Sequence, residues 1–138
     1  MSTLQSNSRK ERDGEYGRYM SADASFIATE FCDAWVNNNG KFDEDWFSEG
    51  FRFVNPVVTY TGFAEFNRFF QEILPNFVEV DVAHEFHNDD YYAWVFDITF
   101  ADPYMTLRVA QLMTFEDNQI TEIEWIFDPR EVFFRFNV

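Results

Sequence analysis

The 138-residue chain predicts an α+β fold, with N-terminal helices followed by a strongly curved, mostly antiparallel sheet that wraps around them as a cone. Three observations predict it. Residues 21–38, SADASFIATEFCDAWVNN, place Phe26, Ile27, Phe31, Ala34 and Trp35 at helical spacing. Residues 77–88, FVEVDVAHEFHN, alternate with the period of two that a strand requires. Three more β-prone runs follow, YYAWVFDITFA, MTLRVAQLMTF and ITEIEWIF, joined by the turn signals Asp89-Asp90, DPY and EDNQ. Helices ahead of such a meander, packed on one face of it, give the α+β arrangement.

Residues 1–20 are polar and mixed in charge and hold Arg9, Lys10, Arg12 and Arg18. They read as a flexible tail, with a single domain over 21–138. Ser21 is the expected cap of the first helix, and NNNG ends it with Gly40 past the end. A short helix is expected at DEDWFSEG, capped by Asp43 and stopped by Gly50. Phe51–Val54 reads as a strand, Asn55-Pro56 breaks it, and Val57–Tyr60 resumes it. Thr61 then caps a third helix, GFAEFNRFFQEIL, whose Phe63, Phe66, Phe69/Phe70 and Ile73/Leu74 form one face before Pro75.

In the sheet, Val78, Val80, Val82, His84 and Phe86 are expected on one face of their strand. On the next strand Trp94, Phe96, Ile98 and Phe100 take one side, and Val95, Asp97 and Thr99 the other. The first of these sides is expected to be the outer face, too apolar to meet water alone, and the second to line a pocket. Arg108 is expected beside Glu122 or Glu124. The terminal EVFFRFNV is expected to add an edge strand or a dimer contact.

A net charge of -15 repels phosphate backbones and anionic lipid, so neither nucleic acid nor membrane is an expected partner. The single cysteine, Cys32, rules out an intrachain disulfide and reads as a buried, inert thiol. Without an apolar leader or a run of transmembrane length, the expected location is cytoplasmic. Aromatic residues make up 21% of the chain, which suits either a dense core or a wide apolar cavity. Two histidines without His-x-His spacing, and no glycine-rich phosphate loop, lead to no expected metal or cofactor.

The order of elements, with FRFVNPVVTYTGFAEFNRFF and QITEIEWIFDPREVF, resembles the nuclear-transport-factor-2-like superfamily over roughly residues 22–134. That superfamily includes ketosteroid isomerases, SnoaL-type polyketide cyclases, limonene-epoxide hydrolases and scytalone dehydratase. The resemblance implies a cone fold with an internal pocket for a small hydrophobic molecule, and a homodimer paired through the outer sheet face. At the isomerase positions, Asn55 stands in place of the base, Phe31 or Trp35 in place of a Tyr, and Gln111 in place of an acid. At the epoxide-hydrolase positions Asn55 and Asp97 match, while Val95 and Trp125 replace an Arg and an Asp. His84 resembles the dehydratase histidine in placement.

Two functional readings stand side by side. One is a SnoaL-like enzyme acting on a hydrophobic cyclic substrate, with Asp97 as acid/base, His84 and Asn55 as further catalytic candidates, and Phe31, Trp35, Tyr60, Gln111 and Trp125 as the pocket. The other is a non-catalytic ligand-binding or dimeric module on the same scaffold. Asn55 itself cannot take a proton near neutral pH.

Overall fold

The computed structural model describes residues 16–87 and 91–136, with side chains from Ala24 to Val132 within them. Residues 1–15 of the expected tail and the Asp89-Asp90 turn lie outside the described residues. Helix α1 spans Tyr16–Asn37, strand β1 Phe47–Val54 and β2 Thr59–Thr61. Helix α2 spans Phe63–Ile73, and β3 (Phe77–His87), β4 (Tyr91–Ala101), β5 (Tyr104–Glu116) and β6 (Gln119–Ile126) follow. The last element is helix α3, Pro129–Phe136. The sheet order is β2-β1-β6-β5-β4-β3. All neighbours are antiparallel except β1 and β6, which run parallel.

The expected meander is present as β3–β6, and several boundaries move. Helix α1 begins at Tyr16, so Ser21 lies inside it rather than at its cap. Asp43 does cap, accepting from Asp45 N at 2.9 Å, but only a single 3-10 turn follows, Glu44–Trp46. β1 starts at once at Phe47, which puts Gly50 inside the strand, where the pairing with β6 shifts register between Phe47 and Arg52. Phe47, Phe51 and Phe53 are buried, and that burial decides for strand over helix. Thr61 belongs to β2, and Gly62, at φ 88°, takes the position before α2. At the other end of the chain, residues 131–136 of EVFFRFNV are helical rather than a strand. Asp128 Oδ1 accepts from Arg130 N at 3.0 Å and Pro129 stands first in α3, which together start a helix.

Helices and sheet meet through aromatic rings. Phe31 stacks on Phe42 at 5.0 Å, Trp35 meets Phe96 edge-on at 4.8 Å, and Phe66 meets Phe70 at 5.0 Å. Phe31, Phe51, Phe53, Phe66, Phe70 and Phe96 are all fully buried. The concave side of the sheet carries Trp94, Phe96, Ile98, Phe100, Leu107, Val109, Met113, Ile123 and Trp125. The face expected to be outermost is therefore the core face. The helices need an apolar surface to bury, and the Trp94/Phe96/Ile98 row is the one that supplies it.

Strand β3 does not keep one face. Its pairing with β4 shifts between Val82 and His84. Val80 and Val82 oppose the buried Ile98 and Phe96, whereas His84 and Phe86 oppose Val95 and Ala93 on the convex side. A bulge of this kind turns the following side chains over.

Candidate functional site

The turn between β1 and β2 is built by one amide. Asn55 Oδ1 accepts from Val57 N at 2.8 Å and Val58 N at 3.0 Å, and Asn55 N donates to Val58 O at 3.1 Å. Pro56 holds φ fixed between them. Two backbone donors converging on one atom make that atom the oxygen, so the side-chain orientation is settled. Nδ2 remains a donor with no partner among the described residues.

Beside this corner lies a half-open cavity of about 290 Å³. Its walls are Asn55, Val57 and Val58 of the corner, Tyr60 of β2, Phe69 and Ile73 of α2, Phe100 of β4, Leu107 of β5 and Trp125 of β6. Phe127, which follows β6, and Val132 of α3 complete it. Three of these side chains carry a polar hydrogen. The Trp125 indole N–H is already used, donating to Gln111 Oε1 at 2.9 Å. Tyr60 lies against Phe69, rings stacked at 4.7 Å. Burial, and then the nearby Glu72 and Glu65 carboxylates, raise its hydroxyl above the ordinary tyrosine range. Near neutral pH Tyr60 is thus an O–H donor. Asn55 and Tyr60 are the two lining residues whose side-chain donors take no partner among the described residues, and among the described lining no carboxylate, imidazole, amine or thiol occurs.

Of the residues singled out from sequence, Asn55, Tyr60 and Trp125 come together here. Gln111 stands behind them, fully buried, accepting from Trp125 and donating from Nε2 to Cys32 Sγ at 3.4 Å. Burial pushes the Cys32 thiol well above its ordinary range, against the opposing pull of that hydrogen bond. Phe31 is core, fully enclosed by Phe42, Phe47 and Phe66. Trp35 lines a different cavity.

Asp97 lies on the convex face, opposite Arg108 on β5, not on the pocket-lining side expected for it. Both guanidinium contacts are made, Arg108 Nε to Oδ1 and Nη2 to Oδ2, each at 2.8 Å. That hydrogen bonding holds the Asp97 carboxyl below the usual range, against the opposing effect of burial. Arg108 accordingly is not the partner of Glu122, which takes Arg52 at 2.7 Å instead. His84 is exposed on the convex side, 6.0 Å from the Phe86 ring. Neither Asp97 nor His84 lines the corner cavity.

Sequence reasoning missed the apolar lining, namely Val57, Val58, Phe69, Ile73, Phe100, Leu107, Phe127 and Val132. One signal was present. Val57-Val58 is an apolar pair directly after an Asn-Pro turn, and a turn tip normally carries polar residues. Among the described residues no group of three metal-ligating side chains occurs, and no helix is long and apolar enough to cross a membrane.

A curved, unclosed sheet packed on helices, with an apolar cavity beside the β1–β2 corner, defines a pocket-bearing α+β scaffold. The SnoaL-like domain family matches residues 28–123, and the chain belongs to that family within the nuclear-transport-factor-2-like superfamily. An NTF2-like protein of unknown function from Cytophaga hutchinsonii ATCC 33406 superposes with a TM-score of 0.67 at 22% identity, covering 80% of this chain and 94% of that one. A candidate SnoaL-like polyketide cyclase from Shewanella putrefaciens CN-32 gives 0.64 at 13% identity, covering 83% and 85%. A de novo designed protein with a curved β-sheet also gives 0.64, at 12% identity, covering 83% and 93%. Likeness at these identities is likeness of fold alone. No curated protein matches the sequence.

Proposed function

We propose that this SnoaL-like protein binds a small molecule in the cavity beside Asn55. The ligand has an apolar, cyclic skeleton and one hydrogen-bond-accepting oxygen, which takes the Asn55 Nδ2 and Tyr60 hydroxyl donors. The lining of the cavity carries this reading: apolar throughout, with two donors and no described group able to exchange a proton near neutral pH. It favours the binding reading over the acid–base one. The Asp97 carboxylate is committed to Arg108 on the opposite face of the sheet.

The test compares 1-tetralone with tetralin, which lacks the carbonyl, by calorimetry and thermal shift. Asn55→Asp keeps an acceptor for the Val57 and Val58 amides but replaces the inward donor with an oxygen. The ketone should bind wild type more tightly than the hydrocarbon does. Asn55→Asp should weaken the ketone by about tenfold or more and leave tetralin unchanged. Equal binding of the ketone to wild type and variant would sink the proposal.

A further inference from the structure

The sheet ends in two strands of unequal length. β2 is three residues long, whereas β3 runs for eleven and, among the described residues, pairs with β4 alone. The outer side of such a strand carries N–H and C=O groups free to take another strand.

Along residues 77–82 the side chains of β3 are sorted by face. Val80 and Val82 stand on the concave side, opposite Ile98 and Phe96, and Glu79 and Asp81 on the convex side, opposite Thr99 and Asp97. The Asp97 carboxylate is answered by Arg108. Glu79 and Asp81 are exposed and have no ion-pair partner among the described residues. Where the helices meet this strand, a half-open groove of about 390 Å³ borders it at Val78, Glu79 and Val80, with Val36 of α1 and Leu74, just past α2, in its wall. Beyond the shift after Val82 the sorting inverts, because Glu85 opposes Trp94 and Phe86 opposes Ala93. A single amphipathic register therefore ends at Val82.

A strand laid beside residues 77–82 has its own side chains sorted in the same way. Every second one meets the convex carboxylates, where lysine or arginine fits, and the alternate ones meet the valines and the groove, where apolar residues fit. A second copy of this chain does not fit. An antiparallel self-pair centred on Val80 sets Glu79 of each copy directly against Asp81 of the other, and the chain as a whole carries a net charge of -15. We propose that residues 77–82 dock an extended segment of a partner protein in which basic and apolar residues alternate. It adds to the six-stranded sheet as a further strand, basic side chains on the convex face.

Full-length protein is titrated into a fluorescein-labelled hexapeptide of alternating lysine and valine, followed by anisotropy at physiological ionic strength. The controls are a block of three lysines then three valines, and a hexapeptide of alternating glutamate and valine. The alternating basic peptide should bind saturably, the block peptide about tenfold more weakly, and the acidic peptide not at all. Asp81→Lys changes an exposed residue and should weaken the basic peptide about tenfold. An added strand bonds the edge through alternate residues of its own backbone. N-methylation of the lysines alone and of the valines alone should thus differ, one abolishing binding and the other sparing it. Equal binding of the alternating and block peptides, or equal effects of the two methylations, marks general attraction of a cation to an acidic protein and overturns the proposal. So do wild-type affinity in Asp81→Lys and absence of saturable binding. No residue of β3 lines the Asn55 cavity, so these results leave that reading where it stands.

Discussion

Replacing Gln111 with Leu tests how the cavity wall is held. Gln111 is fully buried, and its Oε1 is the acceptor for the Trp125 N–H, while Trp125 is itself 4% exposed. Leu is similar in size and cannot accept, so the variant strands a buried donor, at a cost of about 1–3 kcal/mol. The contact to Cys32 Sγ, at 3.4 Å, adds little. Burying an apolar group instead of an amide returns part of the loss, which leaves a net destabilisation of about 1–2 kcal/mol. For a domain of this size that corresponds to a fall in Tm of about 3–8 °C. Equilibrium urea unfolding followed by far-UV circular dichroism measures it without relying on tryptophan emission. The decisive comparison is the cycle with Trp125→Phe. Once the indole N–H is gone there is no stranded donor, so the double variant should lose about 1 kcal/mol less than the two singles added together. A Gln111→Leu protein as stable as wild type, or a cycle that is additive within about 0.3 kcal/mol, would refute the reasoning.

Three further outcomes follow from the geometry. Gly40 has φ 74°, and a Cβ there would come 2.5 Å from Leu74 Cδ1 and 2.8 Å from Gln71 Nε2. Gly40→Ala should therefore destabilise by about 1–2 kcal/mol, mainly from the left-handed backbone, since the ends of the Leu74 and Gln71 side chains can shift aside, with differential scanning calorimetry as the readout; an unchanged Tm would contradict the left-handed conformation. Asp97→Asn should leave 1-tetralone binding intact, since Asp97 is absent from that cavity. Because the Asp97 carboxyl is held below its usual range, its ion pair stabilises the fold above the ordinary Asp range and is lost as the pH falls through and below it. Wild type and Asp97→Asn should thus converge in stability at low pH, and a gap that widens on acidification would contradict the assignment.

Much of the topology was legible from period alone. The helical spacing of Phe31 and Trp35, the alternation in β3–β6 and the short turns between the last strands place the elements in order. Faces were harder to read. Alternation separates Trp94 and Phe96 from Asp97 but does not say which row meets the helices, and the apolar row expected on the outer face is the core. In β3 the shift after Val82 sends His84 to the opposite side from the valine it follows in period. No local feature of AHEFH announces that bulge. The terminal helix was readable, since Asp128-Pro129 with Glu131 is a helix start, but the apolar run behind it suggested a strand. As for the site, Asn55, Tyr60 and Trp125 were within reach because the Asn-Pro corner and the last strand are local features. The inward-facing Phe69, Leu107 and Val132 come from three distant elements, and only the folded chain brings them together.

Strand β3 is one free edge of the sheet, and it shows three large apolar side chains to solvent, Val78, Val82 and Phe86, at 60%, 50% and 59% exposure. Between them stand Glu79, Asp81 and Glu85. Unpaired backbone groups beside apolar side chains make a template for adding another strand, and interleaved like charges keep neighbouring molecules from using it. The acidic surface thus acts as a colloidal guard for this edge. As the pH approaches the isoelectric point near 4.2, the guard is neutralised while the apolar row stays, and light scattering along an acid titration should rise there first.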